Sequence, residues 1–218
     1  MDERIGGLFR PGRDRIGQAS EMLTRAFFND PKLTYVLTEP QDREAMGTHL
    51  LTFELNYGMH YGRVYATSPG MEGVAVWLPS SKSAITFWRA FRSGGMALSK
   101  NLGKENMKRL MNFSDQVDAY HARHAPGPHC YLFFIGVDPE MQGRGFAGKL
   151  IRPVLDRLDQ KGTDCYLHTQ NENNIGLYEH FGFEVVEQVT LAGTEILHTG
   201  MIRKAGGDPV ESPGRAGP

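Results

Sequence analysis

Apolar positions recur at helical spacing from residue 14 to 28 (Ile16, Ala19, Met22, Leu23, Ala26, Phe27). They predict a helix that stops before Asp30-Pro31, a breaker. Residues 41–60 predict a second helix, with Met46, Leu50, Phe53 and Tyr57 on one face. "GGLFRP" reads as a weak first strand. "RVYAT" and "EGVAVWL" read as strands joined by a hairpin turn at Ser68-Pro69-Gly70. Residues 82–123 predict helix, broken at Gly94-Gly95 and at Gly103. The pattern sharpens after that. "HCYLFFIGV" is an apolar run of strand length, followed by a glycine-rich loop and a helix to about Gln160, ended by Lys161-Gly162. "CYLHT" is the next strand and residues 173–181 a short helix. "FEVVEQVTL" and "TEILHTGMIRK" form a last hairpin about Ala192-Gly193. Strand, loop, helix, strand, helix and hairpin is the order of a mixed α/β unit. Residues 1–204 are expected to form a single domain. Residues 205–218, "AGGDPVESPGRAGP", are expected to be a disordered Gly/Pro-rich tail.

Composition narrows the partners. The chain has 218 residues and a net charge of −1, which supplies no strong field for a phosphate backbone, so no nucleic acid is expected. No run reaches the ~18 apolar residues of a membrane span, and no membrane partner is expected. No signal pattern opens the chain. The two cysteines, Cys130 and Cys165, have neither CxxC nor zinc-like spacing; no metal is expected, and reduced thiols in a cytoplasmic protein are.

The stretch "VDPEMQGRGFAGKL", residues 137–150, fits three anion cradles at once. Gly143, Gly145 and Gly148 give the G-x-G-x-x-G of a dinucleotide site. Gly143, Gly148 and Lys149 give most of a P-loop. Gln142, Gly145 and Ala147 give Q-x-x-G-x-A. All three work the same way: glycines let backbone N–H groups converge on a phosphate at a helix N-terminus. Context separates them. A P-loop needs Ser or Thr after the lysine to hold magnesium, and Leu150 stands there. A dinucleotide loop needs its first glycine almost at the strand end, yet residues 138–142 intervene.

The third pattern is in register throughout "GVDPEMQGRGFAGKL", and a second motif, "NENNIGLYEHFGF", follows about 30 residues on. With these two motifs in order, residues 130–203 resemble the GNAT superfamily of N-acetyltransferases. "AFFNDP" and "VAVWLP" resemble, more loosely, its antibiotic and mycotoxin acetyltransferase branch. The resemblance implies a fold class: α/β, a mixed sheet with parallel central strands splayed around the cofactor, flanked by helices. It also implies acetyl-CoA as cosubstrate, without metal, and an amine acceptor, a small molecule, attacking directly in a ternary complex. A homodimer is compatible with it.

By that resemblance, backbone groups of Ile135 and Val137 pair with the pantetheine. Gln142, Gly143, Arg144, Gly145, Phe146, Ala147 and Gly148 surround the pyrophosphate, with Arg144 as a charged donor. Asn174, four residues before Tyr178, is placed on the pantetheine in preference to Asn171. Tyr178 is the expected acid for the departing thiolate. His168 stands where the related branch frequently has Glu, and imidazole titrates near neutrality, so it is the expected base; Glu54 and His60 rank behind it. Seven Lys/Arg against Glu105 in residues 82–109 read as a solvated helical face, and Trp77, Phe87 and Trp88 as core or acceptor-pocket aromatics. Two other readings stay open: a catalytically silent acyl-CoA sensor and a dinucleotide-binding oxidoreductase.

Overall fold

The computed structural model describes residues 5–206. Helix α1 (Ile16–Ala26) buries Ile16, Ala19, Met22 and Leu23, the spacing that predicts it. Asp30-Pro31 ends this helix but also starts another, α2 (Pro31–Val36). The Asp30 carboxylate accepts from the Lys32 amide at 2.9 Å. Proline fits the first helical position because its missing N–H would have had no partner there. Helix α3 (Pro40–Tyr61) follows, then the hairpin of β1 (Arg63–Ala66) and β2 (Gly73–Pro79). "GGLFRP" forms no strand: Phe9 alone bridges to Ala66, through two backbone bonds of 3.0 and 2.8 Å. The basic stretch contains α4 (Phe87–Arg92) and α5 (Gly95–His124), separated at Gly94 (φ 97°), with a kink at Gly103 (φ 74°). These are the two breaks the glycines predict.

The second half alternates β3 (Cys130–Val137), α6 (Phe146–Gln160), β4 (Cys165–Thr169), α7 (Ile175–Glu179), β5 (Glu184–Thr190) and β6 (Leu197–Arg203). One six-stranded sheet runs in the order β1-β2-β3-β4-β6-β5. Its single parallel pair is β3–β4. Side chains alternate between its faces. Val76, Tyr131 and Tyr166 pack toward α1, α3 and α5; Trp77, Leu132 and Leu167 pack toward α6 and the α7 segment. Cys130 and Cys165 are register partners and carry free thiols. Of the expected tail, Ala205 and Gly206 are held by backbone N–H bonds to Asp164 (3.0 Å) and Asp159 (2.9 Å). Its remainder lies outside the described residues.

Candidate active site

The parallel strands part company. Their register runs Cys130–Cys165, Tyr131–Tyr166, Leu132–Leu167 and then stops. Beyond it β4 stays with β6, pairing His168 with Gly200 and Thr169 with Thr199, while residues 133–137 of β3 stay with β2. The cause is visible in the β2–β3 register. Trp77 pairs with Leu132 but Val76 with Phe134, so Phe133 is an extra residue on β3. Such a bulge bends its strand and increases local twist. It sits where pairing with β4 ends. The splay leaves one backbone edge of β3 without a strand partner in the middle of a sheet, and buried backbone groups require one.

A cleft of about 1240 Å³ opens along this edge. Ile135, Gly136 and Val137 form its floor. Gln142, Gly143, Gly145, Phe146, Ala147 and Gly148 line one end. Gly143 (φ 74°) and Gly145 (φ 78°) take the left-handed conformation that lets the chain turn into α6, with Gly145 as its N-cap. The N–H groups of the first helical turn then have no acceptor within the helix and carry its partial positive charge. Gln142 braces the loop by donating to the Val137 carbonyl at 3.3 Å. Lys149 and Arg152, one helical turn apart, add charge to the same wall, and Arg25 of α1 adds more from across. The Arg25 guanidinium is 2.5 Å from Asp138 and holds that carboxyl below its usual range. Arg144 is outside this set; it is exposed, with its guanidinium against the Met141 sulfur.

The other end is different. Tyr178 reaches it from α7, 6% exposed and packed edge-on to Phe183. Its hydroxyl has no hydrogen-bond partner among the described residues. Burial raises its pKa, with Asp30 adding to the effect, so the phenol keeps its proton. Asn171 and Asn174 both line the cleft. The Asn171 side chain is used locally, accepting from the Asn173 amide at 3.1 Å. The Asn174 side chain has no such bond among the described residues and is the one free for a ligand. Arg203 steadies this segment by donating to the Phe181 carbonyl at 2.9 Å while gripping Asp159 with both terminal nitrogens.

Asp30 is the one carboxylate among the described residues that line the cleft. Burial raises its pKa, against the pull of Lys32 and two backbone hydrogen bonds. Sequence reasoning saw Asp30 only as a helix breaker. Its local signal, an Asp before Pro, is that of a cap, and only the tertiary fold brings it near Tyr178. Arg25 and the backbone at Gly6, Gly7 and Leu8 have no local signal at all. Arg152 follows Lys149 by three positions on a helix, a spacing that sequence alone can show.

His168 is elsewhere. It alternates with Leu167, so it faces away from α6 and does not line the cleft. Burial, aided by His198, His121 and Lys32, holds its pKa well below the usual value. The Gln170 amide nitrogen lies 2.9 Å from His168 Nδ1 and 3.1 Å from His198 Nδ1. Donating to both, it occupies the lone pair that a base would use. Glu54 is buried in an ion pair with Lys32 at 2.5 Å. His60 lies 2.7 Å from an Arg13 nitrogen, and burial lowers its pKa. Trp77 is core; Phe87 and Trp88 are exposed and do not line the cleft.

Comparison with known proteins bears on this arrangement of splayed parallel strands beside a glycine-rich helix entry. The profile of the Acetyltransferase (GNAT) family matches residues 101–183. The chain is 27% identical over 179 residues to an uncharacterized N-acetyltransferase of Schizosaccharomyces pombe, covering 80% of this chain and 72% of that protein. It is 37% identical over 68 residues to the mycothiol acetyltransferase of Brachybacterium faecium, covering 29% of this chain and 20% of that one. A solved Corynebacterium glutamicum structure, titled histone acetyltransferase HPA2 and related acetyltransferase, shares the fold with a TM-score of 0.63 at 19% identity, over 97% of this chain and 100% of the other. So does the polyamine N-acetyltransferase of Drosophila melanogaster, with a TM-score of 0.59 at 12% identity, over 90% and 98%. By these matches the chain is similar to GNAT-family acetyltransferases, over residues 101–183 for the family profile and over 80% of its length for the Schizosaccharomyces pombe protein.

Proposed function

We propose that this protein transfers an acetyl group from acetyl-CoA to the amine of a small molecule, by direct attack with both substrates bound. The observation that carries the reading is the unpaired edge of β3 running from the α6 cradle to Tyr178. One end of the cleft is built for anions and the other holds a proton donor and a carboxylate. Acetyl-CoA supplies a thioester, a pantetheine arm able to complete a strand edge, and phosphates. Ile135 and Val137 offer the edge. The amides at the start of α6, with Lys149, Arg152 and Arg25, hold the phosphates. The Asn174 side chain meets the arm. These residues fit the group: an added Cβ at Gly143 or Gly145 would meet nothing within 4 Å, so the protein itself does not fill that space.

Two proton movements remain. An ammonium must become an amine, and we assign its proton to Asp30, whose raised pKa makes it a stronger base than an exposed carboxylate. The departing thiolate needs a proton, and Tyr178 holds one on an unpartnered hydroxyl. Alignment of the two substrates contributes the rest. Small amines are favoured as acceptors because the polyamine acetyltransferase shares the fold over nearly the whole chain. The test is a panel of amines with acetyl-CoA, followed by release of free thiol. Saturable, amine-dependent release is expected. Tight CoA binding with no release for any amine would instead make the protein an acyl-CoA sensor.

A further inference from the structure

The largest exposed apolar feature lies away from the cleft. Phe87 and Trp88 of α4 are 74% and 75% exposed, Phe91 is 52% exposed, and Met96, just past the Gly94 turn, is 69% exposed. Helix α4 buries none of its residues. Its rings pack on one another edge-on, Phe87–Trp88 at 5.5 Å and Trp88–Phe91 at 6.4 Å. A soluble protein does not gain by keeping three such rings in water, and a patch of this kind marks a contact. The same stretch of chain, residues 82–109, is rich in cations: Lys82, Arg89, Arg92, Lys100, Lys104, Lys108 and Arg109, against Glu105 alone. None of the seven forms an ion pair among the described residues. In the first half of α5, residues 95–110, the buried side chains are Leu98, Leu102 and Leu110, while Lys100, Lys104 and Lys108 are exposed.

We propose that this knob docks the protein on an anionic lipid surface. Three arguments choose that occupant. Rings flanked by lysine and arginine are the composition of interfacial segments, with apolar groups at the acyl boundary and cations among the headgroups. The charge also excludes the alternatives. A second copy meeting this face about a two-fold axis would set like charges, such as the exposed Arg92 and Lys100, against one another. Single-stranded nucleic acid wants parallel stacking platforms, whereas these rings stand at 76° and 80° to one another. The position allows it too. The segment follows Pro79, which pairs with Cys130 at the start of β3, while the cleft opens at the β3 end. Docking there leaves the cleft free. A count of apolar spans alone had excluded a membrane partner; surface docking needs no span.

The experiment is flotation of the full chain with vesicles of about three parts phosphatidylcholine to one of phosphatidylglycerol, and with phosphatidylcholine alone. Trp88 fluorescence is read in parallel, since Trp77 is buried and already shielded. The protein is expected to float with the anionic vesicles only, with a blue shift of emission, and to be released by high salt. Phe87→Ser with Trp88→Ser is expected to weaken binding at least tenfold, and Arg92→Glu with Lys100→Glu to weaken it by roughly fivefold per charge removed or more. All four positions are exposed, so circular dichroism is expected to be unchanged. Four results would overturn the proposal: no flotation of the wild type, equal flotation with neutral vesicles, a dimer in sedimentation that the double-serine variant dissolves, or salt-sensitive oligonucleotide binding in place of vesicle binding.

Discussion

The two faces of the β3–β4 pair come from one alternating sequence and carry opposite chemistry. Toward α6, the chain leaves a strand edge, a helix N-terminus and the Tyr178 hydroxyl without protein partners. Away from α6, polar rings pack on one another, although the Tyr166 hydroxyl and His198 Nε2 are buried without a hydrogen-bond partner. His121 stacks on Tyr166 at 4.1 Å and sits 2.7 Å from His129 through their Nε2 atoms. Gln170 joins His168 to His198, and Tyr120 stacks on His198 at 5.5 Å. The four histidines of this face, His121, His129, His168 and His198, do not line the cleft. Residue type is a poor guide to a site; unmet bonding capacity facing a cleft is a better one.

Substitutions can test whether that division holds. The largest effect is expected for Tyr178→Phe, which keeps the ring and loses the proton. Thiol release should fall ~10²–10⁴-fold in kcat with acetyl-CoA affinity nearly unchanged. A wild-type kcat would remove Tyr178 from the mechanism and leave water as the proton source.

Asp30→Asn comes next. Asn caps a helix about as well as Asp, so α2 should persist while the base is lost. We expect a loss of about 10²-fold in kcat/KM. In the wild type, kcat/KM should rise with pH through an ionisation above the ordinary carboxylate value of 3.8, because burial raises it. His168→Gln should cost far less. The reverse ranking of Asp30→Asn and His168→Gln would move the base to the histidine face and undo the comparison.

Glycines of the cradle give smaller, cleaner changes. Gly145→Val sets a β-branched residue at φ 78° and combines strain of about 1–3 kcal/mol with any ligand effect. Gly148→Ala separates the two. Its added carbon would lie 3.6 Å from Arg152 and 3.7 Å from Phe181, ordinary contact, in a helix that favours alanine. We expect melting temperature to hold or rise while acetyl-CoA affinity falls by about an order of magnitude, since the backbone must approach the phosphates closely. Full affinity in Gly148→Ala would mean the phosphates do not reach this turn.

The histidine face is expected to affect stability rather than turnover. Burial pushes His121 down to about 3 and His198 down to about 4, and lowers His129 and His168. These imidazoles are neutral when folded and bind protons near 6.5 when unfolded. Stability is therefore complete above that pH and is lost progressively as pH falls below 6.5 toward the lowered folded values. Denaturant titrations across this window should show the slope. A flat profile would mean the rings titrate alike in both states.

Much of this was legible in the sequence because it was local. Glycines at 143, 145 and 148 set the loop, and Gly94 and Gly103 set the helix breaks. Apolar alternation set the strands, and the two motifs set their order. What was not legible depends on distant partners. Asp30 and Arg25 reach the cleft from over a hundred residues away along the chain. The bulge at Phe133 is an offset between two strands and has no signature in either. His168 was read from its type and its place in a motif, but the sequence cannot show that Gln170 and His198 occupy it.

The most direct test of the account is a calorimetric titration of the full chain with acetyl-CoA, NAD and ATP. If the open edge of β3 and the α6 cradle hold what their geometry fits, acetyl-CoA binds, one molecule per chain, and the other two give no comparable heat. Saturable binding of NAD or ATP, with none of acetyl-CoA, would contradict it.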